Sequence, residues 1–226
     1  MKKIFVVGAV LLCTLSCFAQ KDVTKFLGIP VDGPKSEMIK NLKSKGFKVS
    51  NTNDADVLTG RFNGHDVNVY ISTENDKVSR ITVIDENTVN ETDIKVRFNR
   101  LCSQFKDNGK YVSLDDYTIP ENEDISYEMN VHNKRYEAIF YQLPEEEVLE
   151  TMKASVKDRV QDKFSPSQLE SPTEEIRNEI FSLTLDLMMD NLKNKPVWFM
   201  ISDFYGKYFI TMFYDNEYNR ANGEDL

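Results

Sequence analysis

Two stretches of the chain repeat hydrophobic residues every three or four positions, which is the spacing of an amphipathic helix. The stripe in residues 38–42 predicts a first helix over residues 35–45. The stripe in residues 94–105 predicts a second helix over residues 92–109, closed by a glycine. Cys102 belongs to this second stripe and is therefore expected to face the core.

Two further helices are predicted in the C-terminal half of the chain. Residues 145–163 have a helical pattern with few apolar positions and begin with three glutamates, which indicates a solvent-exposed helix. Ser171-Pro172-Thr173-Glu174 reads as a capping box and predicts the start of a helix that runs to about Lys193. The broad apolar face of this helix predicts that it lies across a sheet.

Alternating apolar and polar residues, bounded by turn residues, predict seven strands. They cover residues 57–62, 67–71, 78–84, 125–131, 136–143, 197–202 and 208–214. Asn63-Gly64 joins the first two, because both residues tolerate the positive φ angles of a tight hairpin turn. His132-Asn133-Lys134 is predicted to turn the chain between the fourth and fifth. The last two are apolar at both phases, which indicates a central position in the sheet.

The predicted element order is α-βββ-α-ββ-αα-ββ. Hairpins separated by helices favour an α+β fold with a mainly antiparallel sheet rather than a doubly wound parallel one. Residues 20–226 are expected to form a single domain. The order hints at a duplicated helix-plus-strands unit with its boundary near residues 90–110, although no repeat is visible at residue level.

Residues 1–19 have the pattern of a secretory signal peptide. Lys2 and Lys3 precede an apolar run that is shorter than the roughly 20 residues of a transmembrane helix. Cleavage after Ala19 would leave Gln20 at the mature N-terminus, in the periplasm or outside the cell. In the alternative, Cys17 is acylated and the product is an outer-membrane lipoprotein. No later stretch reaches transmembrane length.

Removing the leader changes the composition of the chain. Two of the three cysteines are lost, so Cys102 remains without an intramolecular disulfide partner. The leader carries Lys2 and Lys3 and no acidic residue, so the formal net charge falls from −9 to −11. Such an acidic chain is a poor partner for nucleic acid or an anionic membrane surface.

Motifs for catalysis, metals and cofactors are missing from the sequence. The only histidines, His65 and His132, lie in predicted turns, and there is no H-E-x-x-H, G-x-S-x-G or G-x-G-x-x-G. We therefore assign no catalytic, metal-binding or cofactor-binding residue and expect no cofactor. Carboxylates are abundant, and a hydrolase using two of them that meet only in space stays open as an alternative.

Aromatic residues crowd the final predicted hairpin and its exit. They are Trp198, Phe204, Phe209 and Phe213 together with Tyr205, Tyr208, Tyr214 and Tyr218. The four tyrosines form a candidate contact region for a protein or a glycan, since aromatic rings stack on sugars and dominate protein interfaces. The competing interpretation is that these rings fill the core.

Several short segments resemble a group of small exported proteins of Bacteroidota. The segments are Phe26–Gly33, Lys43–Phe47, Leu58–Gly64, Tyr214–Asn216 and Asn222–Leu226, and they leave the middle of the chain uncovered. The resemblance implies export from a Gram-negative anaerobe and no known activity. By analogy of fold alone, modules that inhibit secreted enzymes also combine helix pairs with antiparallel strands.

Together these observations predict an exported, non-enzymatic binding or interaction module. A small secreted hydrolase with a spatial carboxylate pair and an inhibitor of a secreted enzyme are the alternatives. The sequence leaves the partner and the oligomeric state open.

Overall fold

An eight-stranded antiparallel sheet dominates the computed structural model, which describes residues 21–50 and 57–221. The sheet order is β3-β4-β5-β6-β10-β9-β8-β7, and β1 and β2 pair separately as a small hairpin. The strands are β1 Lys25–Phe26, β2 Ile29–Pro30, β3 Lys48–Val49, β4 Leu58–Phe62, β5 His65–Glu74, β6 Lys77–Asp85, β7 Tyr111–Val112, β8 Glu137–Gln142, β9 Pro196–Phe204 and β10 Lys207–Asp215. The helices are α1 Lys35–Ser44, α2 Glu91–Asp107, α3 Ile125–His132, α4 Glu146–Lys163, α5 Pro166–Glu170 and α6 Glu174–Leu192. The predicted α+β class with a mainly antiparallel sheet is confirmed.

The element order repeats once along the chain. A helix followed by four strands occurs as α1-β3-β4-β5-β6 and again as α2-β7-β8-β9-β10, and the two sets of strands meet where β6 pairs with β10. The strands of each set therefore follow one another in chain order from an edge of the sheet to its centre. The second set differs by its insertions, because α3 lies between β7 and β8, and α4, α5 and α6 lie between β8 and β9.

The main core lies between one face of this sheet and the helices α1 and α2. Phe98 of α2 meets Phe199 of β9 at 5.0 Å between ring centroids, and Phe105 stacks on Phe140 of β8 at 4.7 Å. Residues 21–34, which we call the N-terminal segment, close the same side of the sheet. There Phe26 packs on Tyr214 of β10 at 4.8 Å between ring centroids. Burial of this continuous apolar cluster is the main favourable contribution to folding.

Three local predictions are confirmed, namely the Asn63-Gly64 turn, the second helix, which is α2, and the core-facing position of Cys102. Asn63 and Gly64 have φ angles of 50° and 83° and join β4 to β5. Asn90 caps α2 by accepting a hydrogen bond from the backbone N–H of Asp93 at 2.9 Å. Cys102 is buried on α2, and this burial raises the pKa of its thiol to about 12.

The strand predicted over residues 125–131 is wrong, since this segment is the helix α3. Asp124 caps it by accepting from the backbone N–H of Tyr127 at 2.8 Å, and Asn133 ends it in the left-handed conformation at φ 53°. The predicted turn at residues 132–134 is therefore a helix C-terminus. Of the apolar residues that suggested alternation, Ile125 is buried, whereas Tyr127 and Val131 are 51% and 54% exposed.

The predicted start and surroundings of α6 also need correction. The helix begins at Glu174 with Thr173 as its cap, and Ser171 instead ends the short helix α5, which was not predicted. Rather than lying across the sheet, α6 packs against α4. All side-chain hydrogen bonds and ion pairs described for residues 146–194 are made within that segment, which we call the helical insertion.

Candidate functional site

The four candidate tyrosines do not share one surface in the structure. Tyr208 is buried and its hydroxyl bonds to Ser126, and Tyr214 is buried beneath the N-terminal segment. Tyr205 is 91% exposed at the tip of the β9–β10 hairpin. Tyr218 is half-buried with the ammonium of Lys21 over its ring at 4.6 Å. The leader residues Cys17, Ala19 and Gln20 lie outside the described residues.

A second set of large side chains lines the sheet face that points away from the main core. The register places these residues on one face of the sheet, and all of them are partly or largely exposed. We call this surface the aromatic face. It consists of Tyr70, Ile84, Ile139, Tyr141, Trp198, Met200, Phe204 and Phe213.

Trp198 and Phe213 form the centre of the aromatic face. They lie directly opposite each other on β9 and β10, and their rings stack at 4.0 Å between centroids with 19° between planes. Asp215 accepts a hydrogen bond from the indole Nε1–H of Trp198 at 2.9 Å. This bond fixes the orientation of the indole ring and with it the geometry of the stacked pair.

Arg80 completes this cluster from the neighbouring strand β6. Its guanidinium donates two hydrogen bonds to the Asp215 carboxylate, one of them at 2.8 Å, and lies 5.0 Å from the Phe213 ring centroid. The hydrogen bond to Asp215 raises the pKa of Arg80, which stays cationic. Asp215 and Arg80 therefore balance each other's charge and leave the aromatic rings as the dominant surface.

A cleft of about 1320 Å³ opens on the opposite, core side of the sheet. Its walls come from the β1–β2 hairpin, the C-terminal end of α2 and the first turns of α4, and Met212 and Tyr214 of β10 also line it. Gln142 is buried at its side and is fixed by the backbone of Lys25, whose N–H donates at 2.8 Å and whose carbonyl accepts at 2.6 Å.

Two ion pairs of different burial stand at this cleft. Lys25 pairs with Glu145, and both side chains are substantially exposed. The ammonium of Lys195 is buried and contacts the Asp22 carboxylate at 2.7 Å and the Leu143 carbonyl at 3.2 Å. The Asp22 carboxylate also accepts from the backbone N–H of Glu145 at 3.2 Å. The N-terminal segment is thereby tied to the residues that flank the helical insertion on both sides.

The described residues that line the cleft include the three glutamates Glu145, Glu146 and Glu147, and neither histidine nor cysteine is among them. A two-carboxylate hydrolase needs one carboxyl group with a raised pKa. The pKa of Glu145 is instead lowered by its hydrogen bond with Lys25. Lysine partners likewise lower the pKa of Asp116, to about 2, and of Glu123.

Metal and membrane sites were also sought in residues 21–50 and 57–221. Within these ranges no group of three or more His, Cys, Asp or Glu side chains is arranged to hold a metal ion. None of the helices in these ranges combines the length and the apolar character needed to cross a bilayer.

Comparisons with protein-family models, curated proteins and solved structures find no match to this chain. The site must therefore be interpreted from its own residues. In the sequence, Trp198 and Phe213 are two of eight aromatic residues in the final hairpin and its exit, and the sequence pattern does not distinguish them from the other six. The signal that separates them from the core rings is strand phase, because Val197, Phe199 and Ile201 are buried while Trp198 and Met200 point to the other face.

Proposed function

We propose that this protein is an exported, non-enzymatic interaction module that binds another protein through the aromatic face. The observation that carries the proposal is the fixed Trp198–Phe213 stack at the centre of a partly exposed sheet face. Tryptophan, tyrosine, methionine and arginine are the residues enriched in protein interfaces and their hot spots. The aromatic face contains the first three types, and Arg80 beside its central Trp198–Phe213 pair supplies the fourth.

Export is the second part of the proposal and rests on the leader pattern of residues 1–19. Mass spectrometry of the N-terminus of the protein made in its native host tests it. A mature chain that begins at Gln20 supports a free periplasmic or extracellular protein. An acylated Cys17 would give a lipid-anchored one, and an uncleaved Met1 would contradict export.

The hairpin tip favours an inhibitor of a secreted enzyme as the second candidate function. Phe204 and Tyr205 are 63% and 91% exposed there, and their rings meet edge to face at 4.7 Å. Phe204 belongs to the aromatic face, so a partner on that face would also meet the tip. Loss of the captured partner's enzymatic activity on binding would support this candidate, and unchanged activity would exclude it.

The binding proposal is tested by capturing partners on the immobilised mature chain and then measuring the affinity of each purified candidate. Phe204→Ala is expected to lower the affinity for a partner that binds the aromatic face by about tenfold or more, which is the effect of removing a hot-spot aromatic ring. Phe181→Ala on α6 is the matched control, because Phe181 is the same residue type with a similar exposure of 69%. It should leave the affinity unchanged.

Trp198 supplies a direct signal in this experiment, since it is the only tryptophan in the chain. A partner without tryptophan, or one with its tryptophans replaced, should shift the emission of Trp198 when it docks on the aromatic face. If Phe181→Ala removes binding and Phe204→Ala does not, the contact surface is the helical insertion. Capture of a glycan in place of a protein would contradict the proposed partner class.

A further inference from the structure

The cleft on the core side of the sheet is separate from the aromatic face and has features of a ligand site. We propose that it binds an uncharged, largely apolar small molecule whose hydrogen-bond acceptor is held by the hydroxyl of Tyr214. A volume of about 1320 Å³ is ample, since small-molecule sites are typically about 300–1,000 Å³.

The Tyr214 hydroxyl is the first argument for a ligand. The side chain is 97% buried, being only 3% exposed, and its hydroxyl has no hydrogen-bond partner among the described residues. Across those residues, no fully buried side-chain nitrogen or oxygen lacks a partner. The Tyr214 oxygen must therefore be reached from the cleft that it lines. A buried phenol normally finds a partner, and here a cleft ligand would be that partner.

Tyr111 adds a second donor to the same cleft. Its hydroxyl oxygen accepts from the amide of Gln142 at 3.2 Å, so its own proton remains free to be donated. Gln142 is in turn held by the Lys25 backbone. The two phenols are close enough that Tyr111 adds to the effect of burial in raising the pKa of Tyr214, so both hydroxyls are protonated donors near neutral pH.

The remaining lining residues define the body of the ligand. Apolar side chains come from several elements around the cleft. They include Leu27, Leu101, Phe105, Leu149 and Met212. The charged lining residues are three lysines and three glutamates, so their formal charges balance. A balanced rim above an apolar wall gives an ionic ligand no net attraction and favours an uncharged one.

Nile red is a suitable probe, because it is uncharged and apolar, carries a carbonyl acceptor, and changes its emission in an apolar site. The mature chain is expected to bind it with a blue-shifted emission. Tyr214→Phe should weaken binding by about five- to tenfold, the effect of one lost hydrogen bond in an otherwise intact cleft. Tyr205→Phe at the exposed hairpin tip is the matched control and should bind as the unmodified chain does.

Two results would overturn the proposal. They are an absence of dye binding and equal affinity of Tyr214→Phe and the unmodified chain. If Tyr214→Phe does not fold, Tyr111→Phe at the half-exposed second donor gives the same test, with about threefold weaker binding expected. Partner binding is followed separately through Phe204→Ala, so failure of this proposal is distinguishable from failure of the protein-binding proposal.

Discussion

At the scale of single residues, the most consequential ion pair is the one between Asp22 and Lys195. Both side chains are less than 10% exposed, and the other partners shown are the Leu143 carbonyl for the ammonium and the Glu145 N–H for the carboxylate. Asp22→Ala would leave a buried ammonium without a counter-charge. We expect the free energy of unfolding to fall by about 3–5 kcal/mol in urea denaturation.

The neighbouring pair Lys25–Glu145 is the control for that prediction, because its side chains are 31% and 57% exposed. Glu145→Gln should cost less than about 1 kcal/mol. The double variant Asp22→Ala/Lys195→Met should recover part of the loss by removing the stranded charge. Equal effects of Asp22→Ala and Glu145→Gln would show that burial does not distinguish the two pairs.

Gly60 carries a second prediction at this scale. A Cβ atom built on this residue of β4 would lie 2.6 Å from Cδ1 of the Phe47 ring, which is itself buried. Gly60→Ala should therefore destabilise the protein by about 1–3 kcal/mol through overpacking. Gly109→Ala has nothing within 4 Å of the new atom and should be close to neutral. Thermal unfolding of the two variants checks the difference.

At the scale of elements, the sequence predicts best where local chemistry and packing agree. The Asn63-Gly64 turn and the apolar stripe of α2 need no distant contact to be recognised. Residues 125–131 fit both patterns, because Ile125 and Met129 are four positions apart. That spacing places two residues on the same face of a strand and also on the same face of a helix. The cap at Asp124 decides between these readings, and it was overlooked.

The candidate site was less accessible to sequence reasoning than the fold was. Tyr208 and Tyr214 share a strand with Phe213 and alternate with it, but this strand is apolar at both alternating sets of positions, so the sequence does not show which of its two faces is covered. The Arg80–Asp215–Trp198 cluster joins residues from three strands, separated by up to 135 positions. Such a constellation has no spacing rule that a single sequence can reveal.

The helical insertion carries a prediction about modularity. Its ends are already joined, since the N–H of Gln142 donates to the Lys195 carbonyl at 3.0 Å. The corresponding connection in the first half, between β4 and β5, is the two-residue turn Asn63-Gly64. Replacing residues 146–193 by Asn-Gly should therefore leave the sheet folded and change Tm by less than about 4 °C, the effect of about 1 kcal/mol.

Circular dichroism and thermal unfolding of this shortened chain provide the measurement. Helical signal should fall because α4, α5 and α6 are removed, while the cooperative transition persists. A loss of cooperative unfolding would mean that the insertion is part of the main core, although its side-chain hydrogen bonds and ion pairs are all made within it. Ile176→Ala in the full-length chain tests the insertion's own packing, since Ile176 is buried there.

At the scale of the whole molecule, the sheet separates two surfaces with different chemistry. One face is covered by α1, α2 and the N-terminal segment, and Cys102, Tyr136 and Tyr214 on this side have raised pKa values. The other presents the aromatic face, where Asp215 and Arg80 neutralise each other. This division makes the covered face the one whose stability responds to alkaline pH.

Alkaline pH is expected to destabilise the protein through that covered face. Burial raises the pKa of Cys102 to about 12 and also raises the pKa values of Tyr111, Tyr136 and Tyr214. Above the ordinary pKa of each group the unfolded chain releases a proton that the folded chain keeps, so stability is complete below about pH 9 and declines toward pH 12.

The thiol dominates the lower part of this range, because tyrosine ordinarily titrates near pH 10. Urea unfolding at pH 7, 9 and 10 should show a loss that approaches about 1.4 kcal/mol per pH unit for each group that stays protonated only in the folded chain. Cys102→Ala lowers the stability at every pH by removing a buried side chain, but it should flatten the decline between pH 9 and 10. An unchanged slope in that variant would show that the buried thiol ionises as readily in the folded protein as in the unfolded chain.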